Sequence, residues 1–196
     1  MSSFGGENID MNTYNIDYLI SSSNKCLHGP PGVSFCIANK EKLKECKNIS
    51  GTLSLDLYDQ WKNFEETSQF RFTPPTYVLS GFNEAINEFN ENGGLHARKS
   101  QYKSYNTMIS NSLKKRGFKK YELETPSNII STWYYLNDTF NYEKFYNYLN
   151  EKDIVIYNGK LSNENVFRIG NIGNISVDEI NYVTSTIDEM DLSNFS

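Results

Sequence analysis

Two short apolar runs near the start of the chain, Tyr18-Leu19-Ile20 and Val33-Ser34-Phe35-Cys36-Ile37-Ala38, are bounded by turn residues and predict two buried strands. Between them Ser21-Ser22-Ser23-Asn24-Lys25-Cys26-Leu27-His28-Gly29-Pro30-Pro31-Gly32 forms a polar, glycine-rich turn that presents Lys25 at a sheet edge. A short charged helix around Lys40-Glu41-Lys42-Leu43 follows, and Leu53 to Trp61 reads as a polar and aromatic connector with no defined period. From Pro74 the period becomes helical: Val78, Phe82, Ala85, Ile86 and Phe89 share a face until Asn92-Gly93-Gly94 stops the run. A second helix carries Tyr105, Met108, Ile109 and Leu113 and ends near Arg116-Gly117. Beyond Gly117 the pattern predicts a strand over 129–136, a helix over 142–149, a strand over 154–157 closed by an Asn158-Gly159 turn, and a strand over 166–169 carrying Arg168. Ser176-Val177-Asp178-Glu179 has the form of a capping box, opening a last helix with Val177, Ile180, Val183, Ile187 and Met190 as its buried stripe. Only the last few residues read as unanchored.

Composition narrows the function classes. With 38% hydrophobic and 14% aromatic residues, a chain of 196 residues can bury a core in one or two domains. A net charge of −5 leaves no basic surplus to neutralise phosphates, which argues against a nucleic-acid or anionic-membrane binder. The basic cluster Lys114-Lys115-Arg116 with Lys119-Lys120 falls at a helix end, where cations complement the dipole, and reads as a solvated face. Cys26, Cys36 and Cys46 are odd in number and lack C-x-x-C spacing, so neither a disulfide framework nor a zinc site is indicated. His28 and His96 lack local acidic partners, and no metal site is expected. No apolar stretch reaches the roughly 18 residues that cross a bilayer, and no signal-peptide core is visible, so a cytoplasmic location is expected.

The candidate chemistry centres on Lys25. A compact ammonium in a tight turn changes its protonation readily when desolvated and can then serve as a Schiff-base nucleophile; the local sequence by itself favours a solvated turn lysine. A phosphate-cradling loop at His28-Gly29-Pro30-Pro31-Gly32 is disfavoured, because two prolines remove backbone donors.

Four segments in one order, Met1-Ser2-Ser3-Phe4-Gly5-Gly6, Asp17 to Cys26, Phe72-Thr73-Pro74-Pro75-Thr76 and Phe167-Arg168-Ile169-Gly170-Asn171-Ile172-Gly173, resemble the 2-aminoethylphosphonate–pyruvate transaminase family of class V aminotransferases. The resemblance spans essentially the whole chain but only the C-terminal half of such an enzyme. It implies an α/β chain of the aspartate-aminotransferase type, with residues 1–116 the end of a large pyridoxal-phosphate-binding domain and 117–196 a small α+β C-terminal domain. It implies pyridoxal 5'-phosphate as cofactor, Lys25 as the catalytic amine that condenses with it and moves protons, Thr73 as a contact to the cofactor phosphate of a neighbouring subunit in a homodimer, and Arg168 as the grip on the substrate's acidic group. Without the resemblance Thr73 reads as a helix N-cap before Pro74-Pro75, and Arg168 as a surface salt-bridge arginine. The implied reaction passes the amino group of 2-aminoethylphosphonate to pyruvate, giving phosphonoacetaldehyde and alanine; alanine–glyoxylate and serine transaminases are close alternatives. The aspartate facing the pyridine nitrogen, the phosphate-cradling loop and the ring-stacking residue all belong to the family's other half. The expectation is therefore that the chain alone does not transaminate and needs a complementary N-terminal half; the alternative is a non-catalytic fragment or interaction module.

Overall fold

Strand β1 (Tyr18–Ser22) pairs antiparallel with β2 (Ser34–Ala38), Leu19 opposite Ile37 and Ile20 opposite Cys36. In this computed structural model, which describes residues 1–161 and 164–196, these two strands form the whole sheet of a first compact unit, Met1–Asn92. They are less buried than their composition predicts. Ile20 is 59% exposed and Tyr18 and Ile37 are also open, because a lone pair of strands leaves much of its apolar surface without a covering layer.

Three helices complete the unit. Helix α1 (Lys40–Glu45) starts where Asn39 Oδ1 accepts the amides of Glu41 and Lys42, and buries Leu43. Helix α2 (Leu57–Thr67) occupies much of the expected connector. Asp56 caps it by accepting the Asp59 amide at 3.0 Å, yet no residue of the helix is buried, so it carries a weak core signal. Helix α3 (Thr76–Glu91) forms where the period predicts it, with Ala85 its buried residue, but Ile86 of the expected stripe is exposed. Phe35, Trp61, Phe64 and Phe82 help line an apolar groove of about 670 Å³ against β2.

The second unit, Gly93–Ser196, holds the main core. Helix α4 (Gly94–Lys115) ends in a Schellman motif: the Phe118 amide reaches the Leu113 carbonyl at 3.1 Å and the Gly117 amide reaches Lys114 at 3.0 Å. Gly117 sits at φ +91°, where a side chain would be strained, and Leu113 and Phe118 join one apolar cluster. Because α4 buries Ile109 and Leu113 in that cluster, the compact units part at Asn92 and Gly93, upstream of Gly117. Strand β3 (Ile130–Tyr134), helix α5 (Tyr142–Asn150), strands β4 (Tyr157–Leu161) and β5 (Glu164–Gly170), and helix α6 (Val177–Glu189) follow. The sheet is antiparallel in the order β3-β5-β4. Trp133, Phe167 and Ile169 face the core with Phe145, Ile180 and Ile187.

Three expectations in this unit are corrected. Residues 154–156 are not strand, and Asn158-Gly159 is no turn: both lie within β4, opposite Phe167 and Val166. Val177, at the first position of α6, is 51% exposed and stands outside the buried stripe. The C-terminus is anchored by a 3-10 turn, Leu192–Phe195, whose Phe195 packs against Phe145 and Tyr148.

Candidate active site

The turn carrying Lys25 is braced from below. The Ser23 amide donates to the Val33 carbonyl at 3.1 Å, the Gly29 amide donates to the Ser23 carbonyl at 2.9 Å, and the buried Ser23 hydroxyl donates to the Pro30 carbonyl. His28, at φ +57°, turns its amide onto the Lys25 carbonyl at 3.0 Å. The N-terminal segment forms the floor: Cys26 Sγ donates to the Ser2 carbonyl at 3.2 Å, and the Ser21 hydroxyl donates to the Met1 carbonyl at 2.7 Å. Gly5 is needed there, because a Cβ would stand 2.7 Å from Leu27 Cδ2 and its φ is +85°. Ser23, Cys26, Leu27 and Gly29 are thus buried while Lys25 is half-exposed. Among the described residues, no hydrogen bond or ion pair engages the Lys25 amine. A fixed backbone with an unengaged amine is a suitable mount for a nucleophile.

Thr73 lies in the loop between α2 and α3, exposed, on an open depression lined by Phe70, Arg71 and Phe72. Its expected role as N-cap is corrected: Pro75 holds that position and no side chain caps α3. Pro75 cannot offer a side-chain acceptor, and Thr73 lies too far upstream of the first turn. The loop is held by Arg71, which reaches Asp59 at 3.5 Å and the Leu53 carbonyl at 3.2 Å.

Arg168 sits on the central strand β5, in one row with Thr132 of β3 and Tyr157 of β4, on the face opposite Phe167 and Ile169. Among the described residues no carboxylate pairs with it, so the structure offers no partner for the salt-bridge alternative. Lys25 and Thr73 belong to the first unit and Arg168 to the second.

Two residues near Arg168 carry roles that the sequence reading did not assign them. Asn171 is 1% exposed; its side-chain amide donates to the carbonyls of Tyr102 (3.1 Å) and Asn128 (3.0 Å), tying the end of β5 to α4. Gly159 lies under the stem of Arg168. The nearest sequence signal was the glycine- and asparagine-rich run after Arg168, which marks close packing without naming the partners. The basic cluster also differs from a purely solvated face. Burial pulls Lys120 below the ordinary lysine range; its amine donates to Asn106 Oδ1 at 3.2 Å and stands 5.9 Å from the Trp133 ring centre. Lys115 pairs with Asp188 at 2.9 Å. Among the described residues no group of three His, Cys, Asp or Glu side chains could hold a metal ion, and no helix is long and apolar enough to cross a membrane.

A sequence model of the class-V aminotransferases matches residues 1–177. The chain belongs to that family. It is 44% identical over 193 residues to the 2-aminoethylphosphonate--pyruvate transaminase of Bacillus mycoides (strain KBAB4), covering 95% of this chain and 52% of the relative. It is 42% identical over 192 residues to the bifunctional phosphonoacetaldehyde hydrolase/aminoethylphosphonate transaminase of Clostridioides difficile (strain 630), covering 96% of this chain and 30% of the relative. Among solved structures, the aspartate aminotransferase of Thermus thermophilus superposes with a TM-score of 0.83 at 20% identity, over 96% of this chain and 52% of that one. The alanine--glyoxylate aminotransferase of Nostoc sp. gives 0.80 at 18% identity, over 96% and 51%. The fold is therefore the α/β fold of the aspartate-aminotransferase type, and the chain spans about half the length of the curated relatives it matches.

Proposed function

We propose that this chain is the C-terminal part of a cytoplasmic, pyridoxal 5'-phosphate-dependent transaminase that passes the amino group of 2-aminoethylphosphonate to pyruvate. The observation that carries this reading is the 44% identity, over 95% of the chain, to a transaminase named for that pair of substrates. In this reading residues 1–116 close the large cofactor-binding domain and residues 117–196 are the small C-terminal domain.

Lys25 fits the cofactor in the respect its turn displays: an unengaged, half-exposed amine on a backbone fixed from Ser23 to Gly29. When bound, pyridoxal phosphate supplies an aldehyde for that amine and a ring that takes up electrons. Lys25 would hold the cofactor through that aldehyde, and its free amine would hold and move a proton at the substrate carbon. Arg168 orients the substrate, because its planar fork of donors matches a carboxylate or phosphonate where a lysine would supply only a point charge. The Thr73 hydroxyl, exposed in its loop, serves the cofactor phosphate of the second subunit of a homodimer. The acidic partner of the pyridine nitrogen and the phosphate cradle are assigned to the part of the relatives that this chain does not span.

The test combines the purified chain with the preceding half of the Bacillus mycoides relative and pyridoxal phosphate. We expect a cofactor absorbance band that is absent with Lys25→Ala, alanine formation from 2-aminoethylphosphonate and pyruvate, and no turnover by the chain alone. Turnover with glyoxylate as the preferred acceptor would move the assignment to a sibling class V enzyme. Failure to bind the cofactor with any companion half would favour the non-catalytic fragment.

A further inference from the structure

Asn158-Gly159 has the sequence of a hairpin turn, yet Gly159 is a buried residue inside β4, directly opposite Val166. Its φ lies outside the left-handed region, so backbone conformation does not demand glycine. A glycine within a strand weakens it and commonly marks a close approach. The approach here is Arg168: a Cβ at position 159 would stand 3.2 Å from Arg168 Cγ, and equally 3.2 Å from Val166 Cγ2 and the Val166 carbonyl oxygen.

The register shows how the space is used. Tyr157 is the direct neighbour of Arg168, and Gly159 and Val166 form the next row on the same face. The arginine stem leaves its own row and lies toward Gly159, while Tyr157 reaches the other way, its Cε2 3.9 Å from where a Cβ on Gly170 would be. Gly159 thus leaves the space the Arg168 stem occupies, whereas a Cβ on Gly170 would make only an ordinary contact with Tyr157. Without that clearance the Arg168 stem would have to stand off the sheet.

We propose that Gly159 is a positioning residue that sets the direction of the Arg168 guanidinium, and through it the binding of the substrate's carboxylate or phosphonate group. The proposal rests on the reading of Arg168 as the substrate's ligand. A methyl group at 159 meets a carbonyl held by the sheet and an arginine stem that is free to turn. The stem yields at Cγ, and the guanidinium beyond it swings away.

The test uses the full chain combined with the companion half of the Bacillus mycoides relative and pyridoxal phosphate, and phenylglyoxal, which modifies guanidinium groups, with the rate at Arg168 followed by peptide mass spectrometry. In the unaltered chain, saturating 2-aminoethylphosphonate should slow modification of Arg168 by about fivefold. In Gly159→Ala that protection should vanish although Arg168 still reacts, whereas Tyr157→Ala should keep it. No protection in the unaltered chain would defeat the Arg168 reading and the proposal with it; equal protection in the unaltered chain and in Gly159→Ala would defeat the proposal alone. Thermal unfolding gives an independent readout should the variant be weakly folded: the loss caused by Gly159→Ala should shrink in an Arg168→Ala background, and an equal loss in both would overturn the close-approach argument.

Discussion

Asn171 illustrates how much one buried amide can hold in place. Its two N–H groups satisfy the Tyr102 and Asn128 carbonyls, and its backbone amide donates to Ile129 at 3.0 Å, so helix, loop and strand end meet on one side chain. Asn171→Leu should remove both side-chain bonds and cost about 1–3 kcal/mol, read as a lower urea midpoint at unchanged slope. Lys25 was legible from its neighbours, since serines, asparagine and glycines announce a turn whatever lies around it. The bonds that make the turn rigid were not legible, because Ser2, Cys26 and Leu27 meet only after the chain folds back on itself. Gly159 was misread for a related reason: Asn-Gly is a local turn signal, whereas the space that Arg168 needs comes from the neighbouring strand.

Helix α6 shows a case in which local sequence sufficed. The Ser176 hydroxyl accepts the Glu179 amide at 3.2 Å, and Glu179 Oε2 accepts the Ser176 amide at 2.7 Å, completing the capping box the sequence announces. The bond from the Ser176 amide, and after it a second bond that the Ser176 hydroxyl donates to Glu179 Oε2 at 2.8 Å, hold the Glu179 carboxyl below the ordinary glutamate range. A carboxyl depressed in the folded state adds stability above its unfolded pKa of about 4.3 and loses it as pH falls through the folded value. Acid unfolding followed by circular dichroism should therefore show a component below about pH 4 that is flattened in Glu179→Gln. Ser176→Ala should cost about 1 kcal/mol at neutral pH. Helix α2 is the opposite case. Its cap, Asp56, was present in the sequence, but its Leu57, Trp61 and Phe64 line an open groove, so no strong core stripe distinguished it from a connector.

On the scale of the whole molecule, the first unit carries two strands and an unusual amount of uncovered apolar surface. Ile20, Ile49, Leu53 and Leu55 are all more than half exposed, and exposed apolar surface favours association. Light scattering should show concentration-dependent assembly of the purified chain, suppressed by the companion half of the Bacillus mycoides relative; a stable monomer in isolation would contradict this.

The sequence by itself determined the elements whose signals are local: the turn presenting Lys25, the amphipathic helices α3 and α4 with their glycine stops, and the capped start of α6. It also carried the family, because segments separated by tens of residues keep one order. Tertiary structure alone decided which strand lies beside β5, why glycine stands at 159 and how Asn171 fastens the end of that strand. Strand partners and clearances are properties of pairs of residues distant in the chain, and hydrophobic period records which way a side chain faces but not what it will meet.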